Sequence, residues 1–239
     1  SENWPAYLKW LAEQPVADAP GEQLAHALQI AETTDTHLDD IQAKLDAWRS
    51  VLALDGRHEQ ALWGIHRLTE DDEELDATEQ ALLRTLPMDA ETRPDLLRSQ
   101  ALRAQEPSEA AAHWQALLRQ CPDDADALMA LEGLQRDLGD LDELRATLDA
   151  RLVVAGSPLE EAGVLQSVGE LEEARGDLNA ARMAYEAALE RAREPRVVEA
   201  LTAVYEALGD YGRWASFRVE ALEASVDPVA QQAGYLEVG

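Results

Sequence analysis

Apolar residues recur three and four apart along most of the chain, the spacing of one face of a helix. Leu165, Val168 and Leu171 make one such face, and Ala181, Tyr185, Ala188 and Leu189 make the next. The same rhythm runs through Leu45, Trp48 and Val51, then Leu62, Ile65 and Leu68, then Leu75, Leu82 and Leu86. It continues in Ala110, Trp114 and Leu117, in Leu128, Leu131 and Leu134, and in Leu141, Leu144 and Leu148. Leu201, Val204 and Leu208, followed by Trp214, Phe217 and Ala221, close the series. The pattern predicts short helices in succession. A further short helix is expected over Trp4 to Gln14, carrying Trp4, Tyr7, Leu8 and Leu11.

Breaks between the faces show how the helices connect. Gly139-Asp140, Gly176-Asp177 and Gly209-Asp210 lie 37 and 33 residues apart. Glycine supplies the left-handed turn that ends a helix, and aspartate can cap the next by accepting backbone N–H bonds. Each pair therefore predicts a tight turn between antiparallel helices. Asp55-Gly56, Pro87, Pro122, Pro195 and Pro228 are read as closing a hairpin. Two hairpins lack glycine: their turns are expected at Thr33 to Thr36 and in the acidic run Glu70 to Glu74, the latter a solvated loop.

The order around Gly176 is apolar face, Gly169, turn, Ala181, Tyr185, Ala188, then Pro195. Small residues flank a bulky one, so a large side chain can wedge against a neighbouring helix. This order and a period near 34 residues resemble the tetratricopeptide repeat. A half-a-TPR-type repeat, also built on Trp and Pro landmarks, is the nearest other family. The resemblance is specific in the fifth hairpin, fair in the third, fourth and sixth, and weak before Asp89. It implies an all-α, right-handed α-solenoid of about six TPR-like hairpins between Glu22 and Asp227. The expected division is an N-terminal helix and linker at 1–21, the array at 22–228, and a first helix of a truncated further repeat at 229–239. Both ends then read as cut from a longer solenoid.

Composition reinforces the helical reading. Apolar residues make up 46% of 239, with Ala and Leu dominant and one Phe. Ala and Leu lose little entropy in a helix. No apolar run approaches the roughly 18 residues that span a bilayer. The formal charge is −28, from 48 acids against 20 Lys and Arg. Such a surface repels nucleic acid and anionic membranes and attracts basic partners. A salt-rich habitat or a G+C-rich bacterial genome would leave the same composition. One cysteine, Cys121, excludes an intrachain disulfide; it fits a cytoplasmic setting and is compatible with a periplasmic one.

Candidate chemistry is sparse. The histidines are His26, His37, His58, His66 and His113. His58-Glu59 opens like a zinc-protease helix, but Leu62 stands where the second His belongs. There is no phosphate loop and no Gly-x-Ser-x-Gly elbow. No metal, cofactor or enzymatic activity is expected. Trp48, Trp114, Tyr185 and Trp214 fall at wedge positions and are expected in the core.

In the family that this chain resembles, first helices line a concave groove that binds partners. The resemblance implies groove positions at Gln60, Trp63 and Arg67, at Asp95 and Ser99, and at Met129 and Arg136. It adds Gln166, Glu170 and Glu173, then Arg196, Glu199 and Glu206. Trp63 serves equally as core, and Arg67, Arg136 and Arg196 equally as partners of nearby carboxylates. The expected function is a non-catalytic scaffold docking a protein or peptide partner in that groove, a basic segment being one option, without nucleic acid or membrane insertion. Alternatives are a structural spacer or self-associating arm of a larger assembly, and a regulatory segment of a larger enzyme.

Overall fold

The computed structural model describes residues 3–16 and 18–223, the last four by backbone alone. Pro228 and the half-repeat expected from Val229 lie outside the described residues. The chain forms thirteen helices and no strand among the described residues. It divides into two compact units, 1–104 and 105–239.

The first unit holds α1 (Trp4–Ala12), α2 (Pro20–His37), α3 (Ile41–Leu54), α4 (Glu59–Leu68), α5 (Asp72–Thr85) and α6 (Arg93–Arg103). Each packs against its predecessor. Ala31, Leu45, Trp48, Val51, Ala61 and Ile65 form one core across α2, α3 and α4. Leu62, Leu82, Leu86 and Leu96 form the next, across α4, α5 and α6. Two consecutive hairpins, α2–α3 and α4–α5, are complete here.

The second unit holds α7 (Pro107–Leu118), α8 (Ala125–Leu138), α9 (Leu141–Val154), α10 (Pro158–Arg175), α11 (Leu178–Arg191), α12 (Pro195–Ala207) and α13 (Tyr211–Glu223). Consecutive helices again pack on one another. Val164, Val168 and Leu171 of α10 meet Leu144 and Leu148 of α9 and Ala184 of α11. Tyr185 and Ala188 of α11 meet Val197, Leu201 and Val204 of α12. Here α8–α9, α10–α11 and α12–α13 are complete hairpins. The expected third hairpin is divided, α6 ending one unit and α7 opening the other.

All three Gly-Asp pairs turn as the sequence predicts. Gly139, Gly176 and Gly209 have φ of 72°, 80° and 70°. After each glycine, the Asp N–H returns to the carbonyl five residues back: Asp140 to Gln135, Asp177 to Glu172, Asp210 to Tyr205. Each glycine N–H reaches the carbonyl three residues back. This paired closure satisfies carbonyls that the helix end leaves free. Asp177 and Asp210 then accept from Ala180 N and Arg213 N, whereas the Asp140 side chain makes no cap bond.

Two expected turns are corrected. Thr33 to Thr36 lie inside α2, which continues to His37. Their hydroxyls explain it: Thr33, Thr34 and Thr36 each donate at 2.7 Å to the carbonyl four residues back. That internal bond lets a β-branched residue sit in a helix. The turn falls instead at Leu38 to Asp40, and Asp40 caps α3 through Ala43 N at 3.1 Å. The acidic run is a loop only at Glu70 and Asp71. Asp71 caps α5 through Glu74 N at 2.8 Å, and Asp72, Glu73 and Glu74 form the first turn. Carboxylates are favoured there by the positive end of the helix dipole. Pro195 also differs from expectation: it opens α12 rather than closing the previous hairpin. Its missing N–H costs nothing at a first helical position.

Candidate partner-binding face

Successive first helices are joined by side chains along one face. In the first unit, Gln60 on α4 donates to Glu32 on α2 at 2.9 Å. Arg67 on α4 pairs with Asp35 on α2, and Lys44 of α3 comes within 3.5 Å of the same carboxylate. Arg67 is therefore committed to a neighbour, although its side chain remains largely exposed. Trp63 is half-buried, packs against the leucine core and meets His66 edge-on at 5.3 Å. Asp95 is exposed near the start of α6. Ser99 is half-buried and accepts from Arg103 at 2.6 Å.

In the second unit the structure brings Arg136, Gln166 and Glu170 together. Arg136 on α8 donates to Glu132 at 2.9 Å and to Ser167 on α10 at 3.3 Å. Its guanidinium lies 3.9 Å from Glu170, which also accepts from Gln166 at 2.8 Å. Met129 stands 57% exposed on α8. Arg196, Glu199 and Glu206 are exposed on α12. Glu173 has a structural duty, accepting from the Tyr185 hydroxyl at 2.5 Å. Burial first, and then that carboxylate, push the Tyr185 hydroxyl above its usual range.

The polar groups that organise both units were not legible as such. Glu79 on α5 is 1% exposed. It contacts His66 Nε2 of α4 at 3.1 Å, accepts from Gln100 of α6 at 2.9 Å, and pairs with Arg103 of α6. Burial pushes the Glu79 carboxyl up, and the bonds from His66, Arg103 and Gln100 outweigh it, bringing it down to about 2. Glu132, also buried, holds Arg136, Arg151 of α9 and Ser167. Glu172 holds Arg145 of α9 at 2.7 Å. Glu186 of α11 accepts from the Tyr205 hydroxyl of α12 at 2.6 Å. Each carboxylate fixes at least one neighbouring helix in register.

The wedge residues behave as expected. Trp48, Trp114 and Tyr185 are buried and Trp214 is half-buried. A Cβ on Gly169 would lie 2.3 Å from the Tyr185 ring, and one on Gly64 would lie 2.7 Å from Trp48. Cys121 is half-buried between α7 and α8. Among the described residues no cluster of His, Cys, Asp or Glu could hold a metal ion. None of these helices is long and apolar enough to cross a membrane.

No protein-family model matches the sequence, and no curated protein does. Solved structures do. Naa15/Naa10 bound to HypK-THB aligns with 99% of this chain at 15% identity and a TM-score of 0.58, and this chain covers 39% of that one. YrrB, described as a TPR protein with an unusual peptide-binding site, aligns over 84% of this chain and 97% of its own at 15% identity, TM-score 0.42. PilW, described as a widely conserved type IV pilus biogenesis factor, aligns over 84% and 93% at 14% identity, TM-score 0.43. At these identities the likeness concerns fold.

Proposed function

We propose that this chain, an all-α array of helical hairpins with the fold of tetratricopeptide-repeat proteins, is a non-catalytic scaffold. It docks a protein or peptide partner on the face of its first helices, and the partner contributes Lys or Arg. The observation that carries this reading is the α8–α10 face. Its one cation, Arg136, is shared among Glu132, Ser167 and Glu170, which supports a net negative charge on this face. Glu170 is half-exposed, Glu199 and Glu206 on α12 are exposed, and Met129 adds an apolar contact. The network holds these groups in place before a partner arrives, which reduces the ordering cost of binding.

A cationic segment would be drawn in by long-range attraction and held by short-range apolar contact. Binding then weakens as salt screens the carboxylates. The test is calorimetric titration of a short synthetic peptide of Lys, Arg and Leu at low and high ionic strength. Reversal of two carboxylates, Glu170→Lys with Glu199→Lys, is expected to weaken binding about tenfold, equivalent to about 1.4 kcal/mol. Glu173 is avoided because it supports Tyr185. Equal affinity at both ionic strengths, or no effect of the reversals, would remove this reading.

A further inference from the structure

Some consecutive second helices are tied by a charged pair whose place in the repeat is fixed. One member follows the wedge residue of a second helix. The other lies three residues after the aspartate that opens the next. Between α3 and α5 these are Arg49, after Trp48, and Glu74, after Asp71, joined by two bonds of 2.7 and 2.8 Å. Between α11 and α13 the signs are exchanged: Glu186, after Tyr185, and Arg213, after Asp210, lie 3.5 Å apart. Between α9 and α11 the positions hold Asp149 and Ala180, and Asp149 pairs with Arg145 of its own helix at 3.1 Å. Between α7, the second helix of the divided hairpin, and α9 they hold Gln115, after Trp114, and Glu143, after Asp140. Glutamine brings no charge, and among the described residues neither side chain makes a hydrogen bond or ion pair.

At this place α7 and α9 leave a groove of about 440 Å³. Buried Leu128 and Leu131 of α8 form its floor. Leu118 lines the α7 wall, and small Ala146 and Ala150 line the α9 wall. Two exposed charges of opposite sign stand on opposite walls: Arg119 at the end of α7, one turn beyond Gln115, and Glu143 on α9. Arg119 also makes no side-chain bond among the described residues. The equivalent space between α11 and α13 is smaller, about 310 Å³. There the Tyr205 and Phe217 rings, 6.0 Å apart, stand at the positions of Gln135 and Thr147.

We propose that the α7–α9 groove docks a partner segment that supplies the guanidinium missing from this repeat. The segment brings an Arg to Glu143, an Asp or Glu to Arg119, and leucine-type side chains between them. A guanidinium meets a carboxylate through two parallel bonds, as Arg49 and Glu74 already do. Uncommitted charges of opposite sign on facing walls favour a segment of the complementary order and disfavour one of a single sign. The apolar floor rewards side chains that cover Leu128 and Leu131, and the two alanines leave room for them. This surface lies between second helices, so it is separate from the first-helix face and selects a segment of mixed charge.

The experiment is fluorescence anisotropy of labelled, end-blocked alanine-based peptides titrated with the intact chain. The peptide carries Arg, two Leu and Glu within about one helical turn, made in both orders. Gln115→Arg gives Glu143 a guanidinium of its own; it is expected to keep or raise the thermal midpoint and weaken the peptide at least about tenfold. Glu143→Lys is expected to reject the peptide and to accept one in which its Arg is replaced by Glu. Glu170→Lys, on the first-helix face, is expected to leave the affinity unchanged. No binding at about 1 mM, binding indifferent to Gln115→Arg, no exchange of preference in Glu143→Lys, or binding lost with Glu170→Lys would overturn the proposal. Self-association in sedimentation velocity that Gln115→Arg abolishes would give the groove to a second copy and overturn it as well.

Discussion

The hairpins α2–α3 and α10–α11 solve one problem with different residues. At α10–α11, Gly176 takes a left-handed conformation, Asp177 N–H closes back on Glu172, and the Asp177 side chain starts the next helix. At α2–α3 the chain leaves the helix through extended Leu38 (φ −106°, ψ 151°), and Asp40 starts the next. The shared part is the aspartate cap; the left-handed glycine is optional. Close approach differs too. Gly169 receives Tyr185 of its own hairpin, whereas Gly64 of α4 receives Trp48 of the preceding one. A buried carboxylate recurs in both units, Glu79 between α4 and α6, Glu132 between α8 and α10. The repeat is thus conserved as a set of physical tasks more than as a set of residues.

Removing the buried carboxylates separates the two units most strongly. Glu79→Ala leaves Arg103 without its charged acceptor and takes one of two carboxylate acceptors from Gln100, and is expected to cost about 3–5 kcal/mol in denaturant unfolding. Signals in α4 to α6 should unfold first, because the loss belongs to one unit. The same carboxyl sets an acid dependence. Its ordinary value is 4.5 and its folded value about 2. A lowered folded value means the stabilisation is complete above about pH 4.5 and is lost as pH falls towards 2. Glu79→Ala should flatten the acid limb of the stability profile, and an unchanged limb would assign it to other carboxylates.

The glycine contacts come next. Gly169→Ala forces a Cβ into the wholly buried Tyr185, and about 2–3 kcal/mol is expected from overpacking. Gly64→Ala, with the longer approach to Trp48, is expected to cost less, and the reverse order by thermal unfolding would show that the α10–α11 contact relaxes more easily. At the turn, Gly176→Ala places a side chain at φ 80° and is expected to cost about 1–2 kcal/mol. The smallest effect separates two caps. Asp177→Ala loses a bond to Ala180 N and is expected to cost about 1 kcal/mol, against a smaller cost for Asp140→Ala, whose side chain makes none.

Glycine was readable because positive φ selects for it, so the three Gly-Asp turns could be placed from sequence, while the Tyr185 and Trp48 wedges followed from helical spacing. Thr33 to Thr36 and the run Glu70 to Glu74 misled because a polar cluster signals a turn and a helix start alike. Hydroxyl bonds to the preceding turn and the Asp71 cap decided between them. The buried carboxylates were illegible for another reason. Glu79 and Arg103 are 24 residues apart, and Glu132 and Ser167 are 35 apart, beyond any helical spacing. At the candidate face, position along the helix was readable but commitment was not. Arg67, Arg136 and Glu173 proved to have partners in neighbouring helices or turns, which shifts the proposal towards exposed Glu199 and Glu206 and towards Glu170, half-exposed although it meets Gln166 and Arg136.

Hydrogen–deuterium exchange of the intact chain, with and without a Lys/Arg-rich peptide, tests the scaffold reading most directly. Peptide binding on the first-helix face predicts added protection in α8, α10 and α12, lost with the peptide affinity in the Glu170→Lys, Glu199→Lys variant. Protection confined to second helices α9, α11 and α13, or to none, would contradict it.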